Sequence, residues 1–292
     1  MNREQEDKMQ YEAPETLDAA IALLADASGQ ARILAGGTDL LVQLHADMTD
    51  PDLLVDVKKI AELREIKLVD GGYRIGAAIT GAELGEHPDV KKAWPGIVEG
   101  LELIGSTQVQ GRATIGGNLC NASPAADVVP ALIAAGAIAN IAGSKGTREV
   151  AVEDISTGPG QTSLARDEIV VSITLPPRGE RAGDAYLRFI PRTEMDIAVV
   201  GCGMSLRLDA DGVCTEARVS LGAVAARALL VPEAANAIIG TKLDDAAMAN
   251  LAAAASAACS PIDDKRGTVE FRTDVAGVLA RRVAKIAYDR AG

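Results

Sequence analysis

The chain has 292 residues, room for two domains of ordinary size, each with its own core. Hydrophobic residues make up 48% of it, yet the only aromatic ones are Tyr11, Tyr73, Trp94, Tyr186, Phe189, Phe271 and Tyr288, so Ala, Val, Leu and Ile must build the cores. A net charge of −12 excludes the basic footprint that nucleic acid or an acidic membrane surface demands.

Met1 to Gln10 is charged and lacks the apolar core of a secretory signal. Pro14-Glu15-Thr16 opens a helix whose apolar positions Leu17, Ala20, Ile21 and Leu24 follow the 3.6-residue period. Ala31 to Leu34 reads as a buried strand, Leu40 to Met48 as a helix after a Gly36-Gly37 turn, and Leu53 to Val57 as a second strand, which closes a small α/β unit near Lys59. Tyr73 to Ala77 is a strand, Val90 to Ile104 is mostly helical, and Val128 to Ala135 is a further helix. Ile138 to Ile141 and Ile169 to Leu175 read as strands, and Pro176-Pro177-Arg178-Gly179 marks a boundary. Beyond it, Tyr186 to Pro191, Ala198 to Leu208 and Ala217 to Val224 form an antiparallel meander with a turn at Asp209-Ala210-Asp211-Gly212. Helices over Asp244 to Ala258 and Asp274 to Arg290 end the chain. The longest apolar stretch, Val128 to Ala142, is short of the roughly 20 residues of a membrane span and is interrupted by Pro130 and Gly136. A soluble, cytoplasmic protein with no membrane insertion is expected.

Two segments stand out for chemistry. In R-I-L-A-G-G-T-D-L-L (Arg32 to Leu41) a strand meets two glycines and resumes as a helix, so the amides around Gly36, Gly37 and Thr38 can face a phosphate. Thr38 either caps that helix or donates to the ligand, and Asp39, which would repel a pyrophosphate, caps the helix or steadies the turn. A Gly-Gly turn with a Thr cap also needs no ligand at all. In A-T-I-G-G-N-L-C-N-A-S-P-A-A-D (Ala113 to Asp127), Thr114, Gly116, Gly117 and Asn118 supply a hydroxyl, two unhindered backbones and an amide, with Asn121, Ser123 and Asp127 following. Asp127 stands where a helix N-cap belongs, and it could equally accept bonds from cofactor hydroxyls. Two such segments could grip one extended, phosphate-bearing cofactor.

Other matches fail. Gly201-Cys202-Gly203 lacks the third glycine of a dinucleotide fingerprint and lies in a strand, and Gly143-Ser144-Lys145 lacks the spacing of a P-loop. Cys120, Cys202, Cys214 and Cys259 contain no C-x-x-C pair, and the only histidines are His45 and His87. Neither a disulfide framework nor a metal site is expected, and Cys120 reads as a small apolar filler.

With both glycine segments in view, the chain resembles the FAD-binding medium subunit of the molybdenum hydroxylases, the family of carbon monoxide dehydrogenase, 4-hydroxybenzoyl-CoA reductase and the flavin portion of xanthine dehydrogenase. The resemblance runs through Y-E-A-P-E-T-L-D-A-A (Tyr11 to Ala20), L-A-G-G-T-D-L, I-A-E-L-R-E-I (Ile60 to Ile66), R-I-G-A-A-I-T (Arg74 to Thr80) and A-T-I-G-G-N-L. It continues with A-Y-L-R-F-I-P-R and D-I-A-V-V (Ala185 to Val200), L-G-A-V-A (Leu221 to Ala225) and P-I-D-D-K-R-G (Pro261 to Gly267). Two departures are visible: Ile155-Ser156 stands where relatives often carry an aromatic, and the cysteine-rich insertion that holds an additional cluster in the benzoyl-CoA reductase type is missing.

The resemblance implies an α+β protein with a two-part FAD-binding domain of the vanillyl-alcohol-oxidase-like (PCMH) type at residues 1–177, its parts about 1–59 and 60–177. A smaller α+β domain with an antiparallel sheet and helices follows at 178–292. It implies FAD held by Ile33, Leu34, Ala35, Gly36, Gly37, Thr38 and Asp39 and by Thr114, Ile115, Gly116, Gly117 and Asn118, with Asn121 and Asp127 as further polar contacts and Ile169 as a hydrophobic one. No catalytic acid or base and no metal ligand is expected in this chain. The implied role is electron transfer within a dimer of heterotrimers. A large subunit carries molybdopterin, a small subunit carries [2Fe–2S] clusters, and this flavin passes electrons to NAD+, oxygen or quinone. The alternatives are a self-contained FAD-dependent oxidase or reductase of the same superfamily, and a scaffold that has lost its cofactor.

Overall fold

The structure is a computed structural model that describes residues 9–292, and most of the charged N-terminal stretch lies outside the described residues. The first part contains β1 (Gln10–Glu12), α1 (Leu17–Asp26), β2 (Ala31–Leu34), α2 (Leu40–His45) and β3 (Leu53–Asp56). Thr16 caps α1 by accepting from the Ala19 amide at 3.3 Å, and the helix turns Ala20 and Leu24 into the core as their spacing requires. The strands form a parallel sheet in the order β1-β3-β2, with Ile33 opposite Val55 and Leu34 opposite Asp56. None of the residues of α2 is buried.

The second part contains β4 (Ile66–Val69), β5 (Gly72–Gly76), α3 (Gly81–Gly85), α4 (Pro88–Ala93), α5 (Pro95–Glu102), α6 (Thr107–Gln110), α7 (Ile115–Cys120), α8 (Val128–Ala135), β6 (Ile138–Gly143), β7 (Gly146–Ala151), β8 (Ser156–Gly158), β9 (Gln161–Thr162) and β10 (Ile169–Leu175). Its antiparallel sheet runs β4-β5-β10-β6-β7, with β10 in the centre and almost wholly buried. The mostly helical stretch expected over Val90 to Ile104 is two helices that part at Trp94. Pro95 has no amide to donate and starts a new helix instead. Every residue of α8 is buried, and Gly136 ends it in the left-handed conformation at φ 69°. The core beneath the first sheet draws on Ile169 and Val171 of β10, so the two sheets share one interior.

The third part contains β11 (Ala182–Phe189), β12 (Val200–Leu208), β13 (Cys214–Gly222), β14 (Leu229–Leu230), α9 (Pro232–Asn236), α10 (Asp245–Ala257) and α11 (Val269–Ala291). The meander is antiparallel in chain order, and Asp209 makes the expected turn by accepting from the Asp211 and Val213 amides at 2.9 and 2.8 Å. It packs under α10 and α11 around its own aliphatic core. Polar contacts tie this part to the second. Asp184, paired with Arg178 at 2.8 Å, accepts from the Gly96 amide at 2.8 Å. Arg218 reaches Glu153 at 2.8 Å and the Ile133 carbonyl at 3.0 Å.

Candidate cofactor cleft

The two glycine segments meet. A methyl group on Gly36 would stand 2.0 Å from the Arg112 carbonyl oxygen and 3.1 Å from the Ala113 Cα, so the first turn rests directly on backbone that leads into the second segment. Gly116 is pressed in the same way against Ala77, where a methyl would come within 2.7 Å of the carbonyl oxygen. Gly37 has φ +77°, the left-handed region that glycine adopts at little cost. Two of the four glycines are thus required by chain crossings and one by the turn itself. Gly117 is confined only by the Thr114 hydroxyl, 2.7 Å from where a methyl would sit.

The second segment is not the open hinge the sequence suggests. It is the helix α7, with Thr114 as its N-cap accepting from the Gly117 amide at 3.0 Å. The Ile115 amide donates to the Ile79 carbonyl at 3.1 Å, that of Gly116 to Ala77 at 2.9 Å and that of Asn118 to Thr114 at 2.9 Å. All four early amides of α7 are therefore occupied within the protein. The first segment is the opposite case. Among the described residues, no acceptor faces the consecutive amides of Gly36, Gly37, Thr38, Asp39 and Leu40. Unbonded amides in a partly enclosed place are costly unless a ligand or water completes them.

These amides look into a cleft of about 290 Å³ that is open along one side. Ile33, Ala35, Gly36, Gly37, Thr38 and Asp39 line one wall, and Thr114, Gly116, Gly117, Asn118 and Asn121 line the facing one. Ile169 contributes from β10. Gln43 of α2 donates to the Asn121 side-chain oxygen at 3.4 Å, a bond that ties the two walls together. Leu34 and Ile115 lie behind the walls as core residues. Asp39 occupies the N-cap position of α2 without capping it, and partial burial raises its carboxyl above the ordinary range.

Asp127 lies outside the lining. It does not cap α8. Asn118 takes that role, its side-chain oxygen accepting from the Val128 amide at 3.2 Å. Asp127 instead bonds Arg188 at 2.9 Å and accepts from the Tyr186 hydroxyl at 3.2 Å, joining the second and third parts of the chain. Burial pushes its carboxyl up to about 6 against the opposing pull of Arg188. Cys120 lines the cleft as a thiol, pushed up to about 12 by burial.

Apart from Ile169, sequence reasoning missed the cleft's third wall, the segment from Thr162 to Val170, and also Ile104. Leu164 and Ala165 carry no motif. Arg166 anchors this wall by donating to the Ala27 and Gly29 carbonyls, and Glu168 holds it from beneath through Arg148. A long-range arginine clamp of this kind has no local signature. Among the described residues no group of three or more His, Cys, Asp or Glu is placed to hold a metal, and no helix is long and apolar enough to cross a membrane.

Comparison with known proteins decides which ligand this cleft is related to. Residues 7–178 match the model of the FAD-binding domain in molybdopterin dehydrogenase, and residues 185–287 that of the CO dehydrogenase flavoprotein C-terminal domain. This chain belongs to the FAD-binding subunits of the molybdopterin dehydrogenases. It is 34% identical to the xanthine dehydrogenase FAD-binding subunit of Escherichia coli O157:H7, over 97% of each chain. It is 31% identical to the carbon monoxide dehydrogenase medium chain of Hydrogenophaga pseudoflava, over 97% of this chain and 98% of that one. Among solved structures it superposes on carbon monoxide dehydrogenase from the same organism with a TM-score of 0.94 at 31% identity, covering 98% and 99% of the two chains. Quinoline 2-oxidoreductase from Pseudomonas putida 86 gives 0.90 at 31% identity, covering 97% and 98%. The flavin subunit thus has the α+β architecture the motifs imply, a two-part FAD-binding domain followed by a smaller domain of sheet and helices.

The residues present suit FAD. Five unpartnered amides offer donors to a diphosphate, while Ile33, Ile104, Leu164 and Ile169 give the apolar surface that a fused ring requires. Asn118 has two demands on it, the cap of α8 and a place in the cleft wall. Asn118→Ala should lower stability by about 1 kcal/mol, the usual value of a lost helix cap, measured by denaturant titration of the apoprotein. A drop in FAD affinity without that loss would show that the side chain acts on the ligand alone.

Proposed function

We propose that this chain is the electron-transfer subunit of a heteromeric molybdenum hydroxylase. Its partners are a small subunit with [2Fe–2S] clusters and a large molybdopterin subunit, assembled as a dimer of heterotrimers. Residues 1–177 act as the flavin-binding domain, in parts of about 1–59 and 60–177, and residues 178–292 as the C-terminal domain. The observation that carries the reading is the run of free amides from Gly36 to Leu40, which faces a cleft built by no single domain part. When bound, FAD supplies a centre that can take electrons singly and release them in pairs to NAD+, oxygen or quinone.

The residues of this chain bind and orient. The Gly36–Leu40 amides hold the diphosphate. Thr114 and Asn118 keep α7 and α8 in place as the facing wall, and Ile169 and Leu164 exclude water from the ring. No side chain in the lining is poised as a catalytic acid or base, since Asp39 and Glu168 are the only carboxylates there and Glu168 is engaged by Arg148. Four free cysteines, two of them buried, suit a reducing compartment, in keeping with a cytoplasmic assembly.

The test is purification with and without partners. The chain alone should carry one FAD and accept electrons from a dithionite- or NADH-type reductant, with no turnover of xanthine, carbon monoxide or an N-heteroaromatic substrate. Substrate turnover by the isolated chain would overturn the proposal in favour of a self-contained flavoenzyme.

A further inference from the structure

The chain holds two phenylalanines, Phe189 and Phe271, and neither is in a core. Both are more than a third exposed, and they stack edge to face on the surface with ring centres 5.7 Å apart. On the same two chain segments lie Met195, Ile197, Ile262 and Val269, exposed by 45 to 70%. Single exposed apolar residues are ordinary, but six large ones on two adjoining segments form a patch of the kind that marks a docking site. The segments are held in register. Arg266 bonds Asp196 at 3.5 Å, Gly267 brings the start of α11 against Val199, and Arg272 fixes the Val199 carbonyl at 2.6 Å.

We propose that this patch is the docking surface for the iron–sulfur subunit of the complex, a proposal that rests on the electron-transfer reading above. One observation selects that occupant. The connection between β11 and β12 carries Met195 and Ile197 and reaches across to the second part of the chain, where the Met195 amide donates to the Gly105 carbonyl at 3.4 Å. Gly105 adjoins Ile104 in the cleft wall, so a body seated on the patch continues to the end of the cofactor cleft. Delivery of single electrons requires such proximity, whereas a partner that reacts with the organic substrate has no need of it. Charge does not oppose it. Residues 189–197 and 262–271 carry five acidic and three basic side chains, and two of the acidic ones, Asp196 and Asp264, are paired with Arg192 and Arg266, which leaves burial of apolar surface as the driving force.

Helix α2, with Leu41 and Val42 exposed, is the rival apolar face beside the cleft. The experiment is co-expression of the complete complex carrying Phe189→Ser with Phe271→Ser, or Leu41→Ser with Val42→Ser, followed by measurement of iron and flavin in the purified flavin subunit. The phenylalanine variant should keep its FAD and lose iron, with the iron-to-flavin ratio falling about tenfold or more, as expected when two central apolar anchors are removed. An unchanged ratio, or a loss confined to the α2 variant, overturns the proposal. So does a wild-type flavin subunit that self-associates when isolated and becomes monomeric on the phenylalanine substitutions, because the patch would then join two copies of this chain. If the phenylalanine variant fails to fold, hydrogen exchange on the wild-type complex decides. Absence of protection across residues 189–197 and 262–271 relative to the free subunit overturns the docking surface. Failure of the wild-type subunit to carry FAD, or to acquire an iron–sulfur partner at all, would count against the electron-transfer reading instead.

Discussion

Gly36→Ala is expected to strip FAD from the purified flavin subunit, with affinity lowered about a hundredfold. The added methyl would stand 2.0 Å from the Arg112 carbonyl oxygen, and that atom belongs to backbone rather than to a side chain that could rotate away. The turn must therefore lift off the chain beneath it. Overpacking of this kind costs about 1–3 kcal/mol, and 2.7 kcal/mol is about two decades of affinity. The five free amides move with the turn, so the loss falls on the ligand as well as on stability. Gly37→Ala should do less, since it strains a residue at φ +77° for about 1–2 kcal/mol and otherwise meets only the Leu34 and Leu41 side chains, at 3.1 Å, which can shift. Gly146→Ala, with nothing within 4 Å of the new methyl, controls for the general cost of replacing a surface glycine with positive φ. Equilibrium titration of the apoproteins with FAD, followed by quenching of flavin fluorescence, ranks the three. A Gly36→Ala protein that binds FAD like wild type would show that the turn does not position the ligand.

The contrast between the two glycine pairs explains what the sequence disclosed and what it hid. The first pair stood where a strand gives way to a helix, and the structure places it there, although of the strand expected to be buried only Leu34 is. The second pair read as a hinge because glycine is a poor helix former. Yet I-G-G-N-L-C is helical, held by the Thr114 cap and by two amides donated to Ile79 and Ala77, partners some 35 residues away in sequence. Local propensity lost to tertiary bonds. The cap of α8 followed the same pattern, passing from adjacent Asp127 to Asn118, nine residues earlier.

Strands with a buried face were legible: β10 emerged over the very residues expected, because its run of Ile and Val is buried almost throughout. The edge strands β4 and β7 were not, since most of their side chains face solvent and leave no apolar alternation to detect. For the cleft, the walls that contain glycine were visible and the Thr162 to Val170 wall, apart from Ile169, was not. Its position depends on Arg166 and Arg148, surface arginines that look like any others until their carbonyl and carboxylate partners are folded beside them.

Asp127→Ala is expected to lower the stability of the flavin subunit by about 3–5 kcal/mol, the range for removing one partner of a buried ion pair. Arg188 is only 4% exposed in its side chain and would be left with a single long bond to the Asp196 carbonyl, while the Tyr186 hydroxyl would lose its acceptor. The thermal midpoint should fall by about 10 °C. Titration gives a second readout. The folded carboxyl is pushed up to about 6, above its unfolded value, so the folded state holds this proton more tightly than the unfolded one. Its contribution to stability is therefore fully present below about pH 4 and is lost as pH rises through about 6. Asp127→Asn cannot titrate and should flatten that part of the stability profile while keeping the shape of the side chain. The same variants separate the junction role seen in the structure from the cofactor contact the sequence offered. A junction residue gives a lower midpoint with FAD stoichiometry retained in the cold. A cofactor ligand gives weakened FAD with the apoprotein's midpoint unchanged, and the buried Arg188–Asp127–Tyr186 cluster, at the seam between α8 and β11, favours the first outcome.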